Sequence, residues 1–231
     1  MRKENSFCLL MQMTFLLKIC MIIFLHALIQ MQMLFFKGES GFSDNIDTRK
    51  VRYAFIHRVI DQYLSDDDEW PLRFKFRPPW GKMIKRHLIN KYKIRFEEIC
   101  YANDVLFSTY VGCFAKKIEA IDSVLYVVTS REGSMTYDYC KKTDELKIRA
   151  GAFFRSDAFL FQKGLCRERR VRFLLLNMFK QDRGLLKYYL FKLDEIYPSK
   201  LSALRDICRD RSIRFKIKFY LYSLLVWIKV L

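Results

Sequence analysis

Residues 94–130 have the sequence IRFEEICYANDVLFSTYVGCFAKKIEAIDSVLYVVTS, in which a helix pattern is followed by a strand pattern. Asn103 or Asp104 is suited to cap a helix that continues through Phe114, because a short polar side chain can accept hydrogen bonds from first-turn amides. The β-branched and aromatic run at 123–130 predicts a buried strand that leads into a polar turn.

The region before this stretch predicts a helix and an edge strand. Apolar residues at helical spacing between Val51 and Tyr63 predict a helix that faces the core, with Asp47 or Thr48 as its N-cap. Residues 70–76 alternate apolar positions with basic or proline positions. This alternation predicts a strand at the edge of a sheet, because proline cannot donate to a ladder.

The remaining segments are predicted to be mainly helical. A short helix is expected to carry Met83, Ile84 and Leu88, and from Thr136 onward the pattern is mostly helical. The order of helices, strand, loop and further helices is typical of an α/β fold, here with a helical C-terminal extension.

The composition indicates a folded, strongly basic chain. Its 231 residues are 52% hydrophobic and 16% aromatic, with only 8 glycines and 4 prolines, which argues against disorder. A total of 42 Lys and Arg against 25 Asp and Glu gives a formal net charge of +17. Such a charge attracts nucleic acid, anionic lipid headgroups or phosphorylated small molecules without choosing among them. A basic surface without a special partner is the alternative.

The cysteines and histidines form no ligand pattern. Seven cysteines are scattered without a CxxC pair, so the sequence predicts neither a disulfide framework nor a zinc knuckle, and a reducing cytoplasm fits best. The three histidines are far apart in the sequence, which argues against a histidine-based metal site.

Two apolar stretches bear on membrane contact. Lys18 and His26 interrupt the stretch from Phe7 to Phe36, and no small-x-small cleavage site follows it, which argues against a spanning helix and a signal peptide. The basic and aromatic segment at 211–231 is too short to cross a bilayer. This segment can lie in the headgroup region of an anionic membrane, or it can pack against the domain, and the pattern fits both.

Three segments resemble family 2 glycosyltransferases of bacterial polysaccharide clusters in their order and spacing. They are RPPWGKMIKRHLI at 77–89, IRFEEICYANDVLFSTYVGCFAKKI at 94–118 and VLYVVTSREGSMT at 124–136. The resemblance extends from Phe35 to Phe161 and implies the C-terminal, acceptor-binding part of a GT-A-type, Rossmann-like domain. The nucleotide-binding half that opens members of this family is absent or out of frame. The expected fold is therefore a partial GT-A-like domain followed by a helical extension.

This resemblance divides the chain into an apolar leader at 1–33, an acceptor-side part at 34–140 and a helical basic and aromatic extension at 141–231. The codons for MQMTF, read one nucleotide earlier, force Ala and Asp and permit Asp at the flanking positions, which gives Asp-Ala-Asp-Asp-Phe. That sequence resembles the family's metal-binding segment. We therefore expect the leader to be an out-of-frame remnant, with a frameshift between Met21 and Leu34, or otherwise a membrane anchor.

The resemblance implies four residues on the acceptor side. Asp104 matches the family's catalytic base, which accepts the proton of the acceptor hydroxyl as that oxygen attacks the anomeric carbon. The alternative role for Asp104 is a helix cap, and the two roles are compatible. Trp80, Lys82 and Asn103 are expected to bind the acceptor.

The donor side is represented by two residues of the turn REGS. Arg131 and Ser134 are expected to approach the donor's phosphates, and a plain polar turn is the alternative. Mg²⁺ or Mn²⁺ is expected for the intact family, whose metal ligands are not present in this chain. The carboxylates of SDDDEW, residues 65–70, suit such ions but lie too close to the Trp80 segment to match the family's motif. We interpret them as a solvated turn.

The expected function is that of a truncated glycosyltransferase. It would transfer a sugar from a nucleotide-sugar donor to a saccharide or lipid-linked acceptor in surface polysaccharide synthesis, with this chain supplying the acceptor side only. A cytoplasmic location is expected, with peripheral contact at the anionic inner face of the plasma membrane and no nucleic acid as partner. The alternative is a non-catalytic basic module that binds a membrane surface or nucleic acid. An uncovered sheet edge predicts aggregation or low stability.

Overall fold

A computed structural model describes residues 32–40, 49–128 and 143–229 and shows a mixed α/β protein with more helix than strand. The strands are β1 (Met33–Ser40), β2 (Lys82–Ile84) and β3 (Ile118–Val128). The helices are α1 (Arg49–Asp66), α2 (Glu69–Phe74), α3 (Arg86–Lys91), α4 (Asp104–Phe114), α5 (Thr143–Gln162), α6 (Val171–Gln181), α7 (Arg183–Leu190), α8 (Lys200–Ile207) and α9 (Ile213–Trp227). A 3-10 turn at Leu193–Glu195 lies between α7 and α8.

The chain divides into two compact units. Among the described residues, the first unit is formed by 32–40, 49–95 and 110–128, and the second by 96–109 and 143–229. Helix α4 therefore begins in the second unit and ends in the first.

The centre of the first unit is a three-stranded sheet in the order β2, β1, β3. Strand β1 is antiparallel to β2, with Leu34 opposite Met83, and parallel to β3, with Leu34 opposite Glu119. Residues 33–36 of β1 are at most 8% exposed. These four residues end the apolar stretch that begins at Phe7, so this part of the stretch forms a buried central strand.

Helix α1 confirms the helix predicted between Val51 and Tyr63. It packs on β1, and among its described side chains Ile56, Val59 and Ile60 are buried apolar residues. The predicted N-cap residues Asp47 and Thr48 lie outside the described residues.

Lys37 of β1 joins three elements of the first unit through ion pairs. Its Nζ lies 2.6 Å from Asp61 Oδ1 on α1 and 2.5 Å from Asp122 Oδ1 on β3. The hydrogen bonds to Asp122 and then to Asp61 raise the pKa of Lys37 above its usual value. The pairing of β1 with β3 is irregular on both sides of this lysine, between Phe36 and Gly38.

The edge strand predicted for residues 70–76 is wrong, because most of this segment forms helix α2. Asp68 caps this helix by accepting a hydrogen bond from the Trp70 N–H at 3.1 Å. Pro71 is the third helical residue, a position whose N–H has no acceptor within the helix, so proline is tolerated there. Local capping therefore outweighs the alternating pattern.

The short helix predicted to carry Met83, Ile84 and Leu88 is also wrong in part. Met83 and Ile84 belong to strand β2, and only Leu88 lies in helix α3. A strand of three residues is too short for a hydrophobic period to reveal, and its identity depends on pairing with β1.

Strand β3 confirms the strand predicted at 123–130 as far as Val128, but its burial is not as predicted. Val124 is 41% exposed and Leu125 is 47% exposed. Because successive side chains of a strand point to opposite faces, the exposure of both residues means that neither face of the sheet is fully covered at this point of β3. An apolar run alone does not distinguish an edge strand from a central one.

Helices α5 to α9 of the second unit confirm the predicted helical extension over residues 143–229. They share one apolar core that includes Leu175, Leu190 and Phe219, each fully buried. Helix α9 contributes Phe219 and Val226 to this core, and Trp227 Nε1 donates to the Leu190 carbonyl oxygen at 3.0 Å. One face of the C-terminal segment thus packs against its own unit.

In the part of the chain that the structure covers, none of the helices is both long enough and apolar enough to cross a bilayer.

Candidate functional site

Asp104 is the first residue of α4, and Asn103 precedes it on an exposed loop. The entry into the helix is formed by Ala102, whose φ is 57°, and the Val105 N–H donates to the Ala102 carbonyl oxygen at 3.2 Å. The Glu97 N–H donates to the Asn103 carbonyl oxygen at 3.3 Å and closes the loop. Because a left-handed alanine costs about 1–2 kcal/mol, contacts elsewhere must hold this turn.

Helix α5 holds the loop through polar contacts within the second unit. Arg155 Nε and Nη2 lie 2.7 Å and 2.6 Å from Glu97 Oε1. The buried hydroxyls of Thr109 and Ser156 are 2.8 Å apart, and Thr109 Oγ1 also donates to the Val105 carbonyl oxygen at 2.8 Å. A hydroxyl has a single proton, so Ser156 is the donor to Thr109. These contacts tie both the loop and the first turns of α4 to α5.

Aromatic contacts add to this arrangement. The rings of Phe96 and Phe107 stack with their centroids 4.0 Å apart and their planes 8° from parallel. The Arg149 guanidinium lies 5.5 Å from the centroid of the Tyr101 ring and forms an ion pair of 2.7 Å with the buried Glu145. The loop is therefore fixed on both sides of the candidate carboxylate.

The group that can take part in chemistry at this position is the carboxylate of Asp104. Asp104 is half-buried, so a ligand can reach it. A negative charge at the start of a helix interacts favourably with the helix dipole, and a carboxylate there can accept a proton from a bound hydroxyl. Capping and proton acceptance are both compatible with this placement.

Trp80 and Lys82 lie in the first unit, around the start of β2. Lys82 Nζ donates to the Phe76 carbonyl oxygen at 2.6 Å and lies 5.0 Å and 5.6 Å from the ring centroids of Phe76 and Phe35. Trp80 is half-buried and meets the Phe76 ring edge-on, with centroids 6.4 Å apart. In this structure the Lys82 ammonium stabilises the turn, and Trp80 presents part of its ring to solvent.

Gly81, between Trp80 and Lys82, forms the bend that leads into β2. Its φ is 71°, in the left-handed region that favours glycine, and its carbonyl oxygen accepts from the Phe36 N–H at 3.0 Å. A Cβ at this position would lie 2.9 Å from Phe76 Cζ, so a larger residue would displace the ring.

The structure describes four of the six predicted site residues. It places Asn103 and Asp104 together at the start of α4 in the second unit, and Trp80 and Lys82 together in the first unit. Arg131 and Ser134 lie outside the described residues.

A metal site is not found among the residues that the structure describes. Over residues 32–40, 49–128 and 143–229, no group of three or more His, Cys, Asp or Glu side chains is arranged to hold a metal ion. The acidic segment at 65–70 has local roles, because Asp66 ends α1 and accepts from Ser65 Oγ at 2.7 Å, while Asp68 caps α2. The described residues therefore do not fit the Mg²⁺ or Mn²⁺ expected for the intact family.

An arginine-rich groove in the second unit was not predicted. We name it the arginine groove; it has a volume of about 200 Å³ and is lined by Arg167, Arg169, Arg170, Arg172 and Arg209. Its sequence signal is the run CRERRVR at 166–172, but a charge run is usually a solvated surface. The structure shows instead that Arg172 is buried, with 5% of its surface exposed.

Comparison with known proteins does not identify the chain. No protein-family model, curated protein or solved structure matches it. The resemblance to family 2 glycosyltransferases therefore rests on the three sequence segments.

Proposed function

We propose that this chain carries the acceptor side of an inverting glycosyltransferase of the family 2 kind. Its substrates would be a nucleotide-sugar donor and a saccharide or lipid-linked acceptor in surface polysaccharide synthesis. The observation that supports this proposal best is the position of Asp104, at the first residue of α4 on a loop that α5 holds in place.

In the proposed reaction the acceptor hydroxyl oxygen bonds to the anomeric carbon of the donor sugar while the bond from that carbon to the nucleotide diphosphate breaks. Asp104 accepts the hydroxyl proton, and the nucleotide diphosphate leaves with the bonding electrons. Trp80, Lys82 and Asn103 are proposed to bind the acceptor. Arg131 and Ser134 are proposed to contact the donor's phosphates.

The parallel pairing of β1 with β3 in the first unit is compatible with the GT-A-like, Rossmann-like origin that we propose for this domain. Strands β1 and β3 are parallel, α1 packs on β1, and the short β2 is antiparallel.

A divalent cation offsets the charge of a leaving diphosphate when it is bound. Because the described residues provide no ligand set for such an ion, no step of the proposed mechanism depends on it.

The proposal is tested by measuring nucleotide diphosphate release from a panel of nucleotide sugars. The assay contains Mg²⁺ or Mn²⁺ and an envelope extract that supplies saccharides and lipids as acceptors. Asp104→Asn keeps the shape of the side chain and removes the base, so we expect the rate to fall about 100-fold or more. Asp194→Asn, at an exposed aspartate in the second unit, is the matched control and should keep the wild-type rate.

Two results would argue against the proposal. Equal rates for the wild type and Asp104→Asn would remove the base role. Absence of release with every donor, together with no binding to any member of an array of bacterial saccharides, would show that the chain lacks the proposed acceptor side.

A second candidate function, binding to a membrane surface, is favoured by the outer face of α9. Five apolar side chains recur there at helical spacing and are between 52% and 76% exposed, namely Ile213, Ile217, Leu221, Leu224 and Ile228. Arg214 and Lys218 are exposed on the same helix. An apolar stripe beside cations fits the surface of an anionic bilayer, where a lipid-linked acceptor would also be found.

A further inference from the structure

The arginine groove lies where the loop after α5 meets the start of α6 and the end of α8. Its lining also includes three carboxylates, those of Glu168, Asp206 and Asp210. Five arginines against three carboxylates leave an excess of positive charge in a concave surface, which attracts anions.

Arg172, a lining residue of the groove, is a buried cation with unused hydrogen-bond donors. Its Nη2 lies 2.5 Å from Asp210 Oδ2, whereas its Nη1 is 3.6 Å from Asp206 Oδ1, beyond hydrogen-bond distance. Its Nε and Nη1 are buried and have no hydrogen-bond partner. Buried guanidinium donors are normally paired, so this residue has capacity for a further acceptor.

Asp206 does not supply that acceptor in this structure, because its Oδ1 lies 3.6 Å from Arg172 Nη1. Its Oδ2 accepts a hydrogen bond from the Tyr197 hydroxyl at 2.8 Å. Burial, and secondarily the charge of Asp206, raise the pKa of Tyr197 well above its usual value, so the phenol stays protonated and remains a donor.

Asp210 is the partner of Arg172 that an incoming anion can replace. Its side chain is 66% exposed, so it can turn into solvent without loss of packing. The hydrogen bond from Arg172 lowers the pKa of Asp210, so a negatively charged group occupies this position at neutral pH. A phosphate oxygen carries the same kind of charge and can bind the guanidinium in its place.

The other arginines of the groove make different contacts. Arg169 forms one wall, because its Nε donates to the Ile196 carbonyl oxygen and its guanidinium lies 4.3 Å from the centroid of the Tyr197 ring. Arg167 and Arg209 are exposed lining residues, and Arg209 Nε lies 3.9 Å from Asp210 Oδ1. An anion that replaces the Asp210 carboxylate would therefore also lie near Arg209.

We propose that the arginine groove is a binding site for a phosphate-bearing anion, a diphosphate or a phosphomonoester, whose oxygens replace the Asp210 carboxylate at Arg172. Forked guanidinium groups match phosphate oxygens in pairs, which favours phosphate over a halide or a single carboxylate. This site is independent of the proposed glycosyl transfer at Asp104.

The test is equilibrium dialysis of the full chain with radiolabelled inorganic pyrophosphate at constant ionic strength. We expect saturable binding by the wild type. Arg167→Ala combined with Arg209→Ala should weaken the affinity about tenfold or more, because each removes a charge-assisted contact. The matched control is Arg205→Ala combined with Arg214→Ala, two exposed arginines outside the groove with the same change in charge, and it should bind as the wild type does.

A variant that is expected to bind pyrophosphate more tightly provides a second test. Asp210→Asn removes the competing carboxylate and should tighten pyrophosphate binding several-fold, whereas Asp194→Asn makes the same charge change elsewhere and should leave the affinity unchanged. The proposal is overturned if the wild type does not bind, or if the groove variants and their controls show the same affinity.

An experiment with lipid vesicles distinguishes a free phosphate from a lipid headgroup as the ligand. Neutral vesicles with and without phosphatidate are sedimented with the chain, and pyrophosphate is added as competitor. Phosphatidate-dependent binding that pyrophosphate and the Arg167→Ala, Arg209→Ala variant both abolish assigns the site to a headgroup. Pyrophosphate binding without phosphatidate dependence assigns it to a soluble ligand.

Discussion

Among single residues, Arg73 determines how closely α2 approaches the end of α4. Its Nη1 donates to the carbonyl oxygens of Gly112 and Ala115 at 2.7 Å and 2.5 Å. Its Nη2 forms an ion pair with Glu69 Oε2 at 2.5 Å. Gly112 permits this approach, because a Cβ at that position would lie 2.5 Å from the Arg73 carbonyl oxygen. The close approach of α2 to α4 therefore requires both Gly112 and Arg73.

Replacement of this glycine should destabilise the first unit. Gly112→Ala forces a backbone carbonyl to move, so we expect the free energy of unfolding to fall by about 1–3 kcal/mol in chemical denaturation. Gly184→Ala is the control, since the helical Gly184 has only Asp182 Oδ1 near a Cβ, at 3.5 Å. That substitution should be neutral or stabilising by up to about 1 kcal/mol. Equal effects of the two changes would contradict the close approach at Arg73.

Residue-level prediction from the sequence succeeds where the cause is local. The helix that starts at Asn103 and Asp104 is predictable because short polar residues mark helix starts. The contact between Arg73 and Gly112 is not predictable, because it joins residues 39 positions apart whose proximity depends on the packing of two helices. For the same reason, the burial of Arg172 could not be predicted from the run of basic residues in which it lies.

Among the elements, α9 combines two faces of different character. Its inner face carries the buried Phe219, Ser223 and Val226, and its outer face carries the exposed apolar stripe from Ile213 to Ile228. The sequence pattern fitted both packing and membrane contact. Packing is confirmed for the inner face, and membrane contact stays a proposal for the outer face.

The outer face of α9 should determine binding to anionic vesicles. Ile217→Glu combined with Leu221→Glu removes apolar contact area and adds repulsion from the lipid, so we expect at least about tenfold weaker co-sedimentation with phosphatidylglycerol vesicles. Tyr188→Glu combined with Leu201→Glu makes the same charge change at two exposed side chains outside α9 and should have a smaller effect. Equal losses would show that net charge alone governs the binding.

Sheet elements were harder to predict than helices. Strand β3 was recognisable from its β-branched residues, but the exposure of Val124 and Leu125 depends on what packs on the faces of the sheet, which the local sequence does not contain. Helix α2 was mistaken for a strand because its apolar residues alternate over a segment too short to show a helical period, while the cap at Asp68 determined the outcome.

For the molecule as a whole, a net charge of +17 opposes the tendency of an exposed sheet edge to associate. Over the described residues, β3 is an edge strand with Val124 and Leu125 exposed. Charge repulsion weakens with salt, since the Debye length falls from about 30 Å at 0.01 M to about 8 Å at 0.15 M. Measurements at a series of salt concentrations therefore separate charge repulsion from association through the sheet edge.

Light scattering over such a series should show self-association that increases with salt. Val124→Lys places a charge on the edge strand and should suppress the association. Leu64→Lys adds the same charge to helix α1, where the leucine is 48% exposed, and should suppress it less. If both variants behave alike, net charge rather than the strand edge controls the association.

At this scale the fold class was predictable, and the division of the chain was not. A mixed α/β protein follows from the order of patterns along the sequence. The grouping of Phe96–Thr109 with the C-terminal helices depends on long-range contacts such as the ion pair of Glu97 with Arg155, 58 positions apart.

Lys37 has a consequence for how the chain finds its sheet. A slip of one residue in β1 would send Phe36 to the opposite face and part the lysine from Asp61 and Asp122. The free energy gained from a partly exposed ion pair is small, at most about 1 kcal/mol, so its contribution to stability is minor. A strand in the wrong register would lose this free energy in addition to the burial of Phe36, so the ion pairs of Lys37 favour the native register of β1.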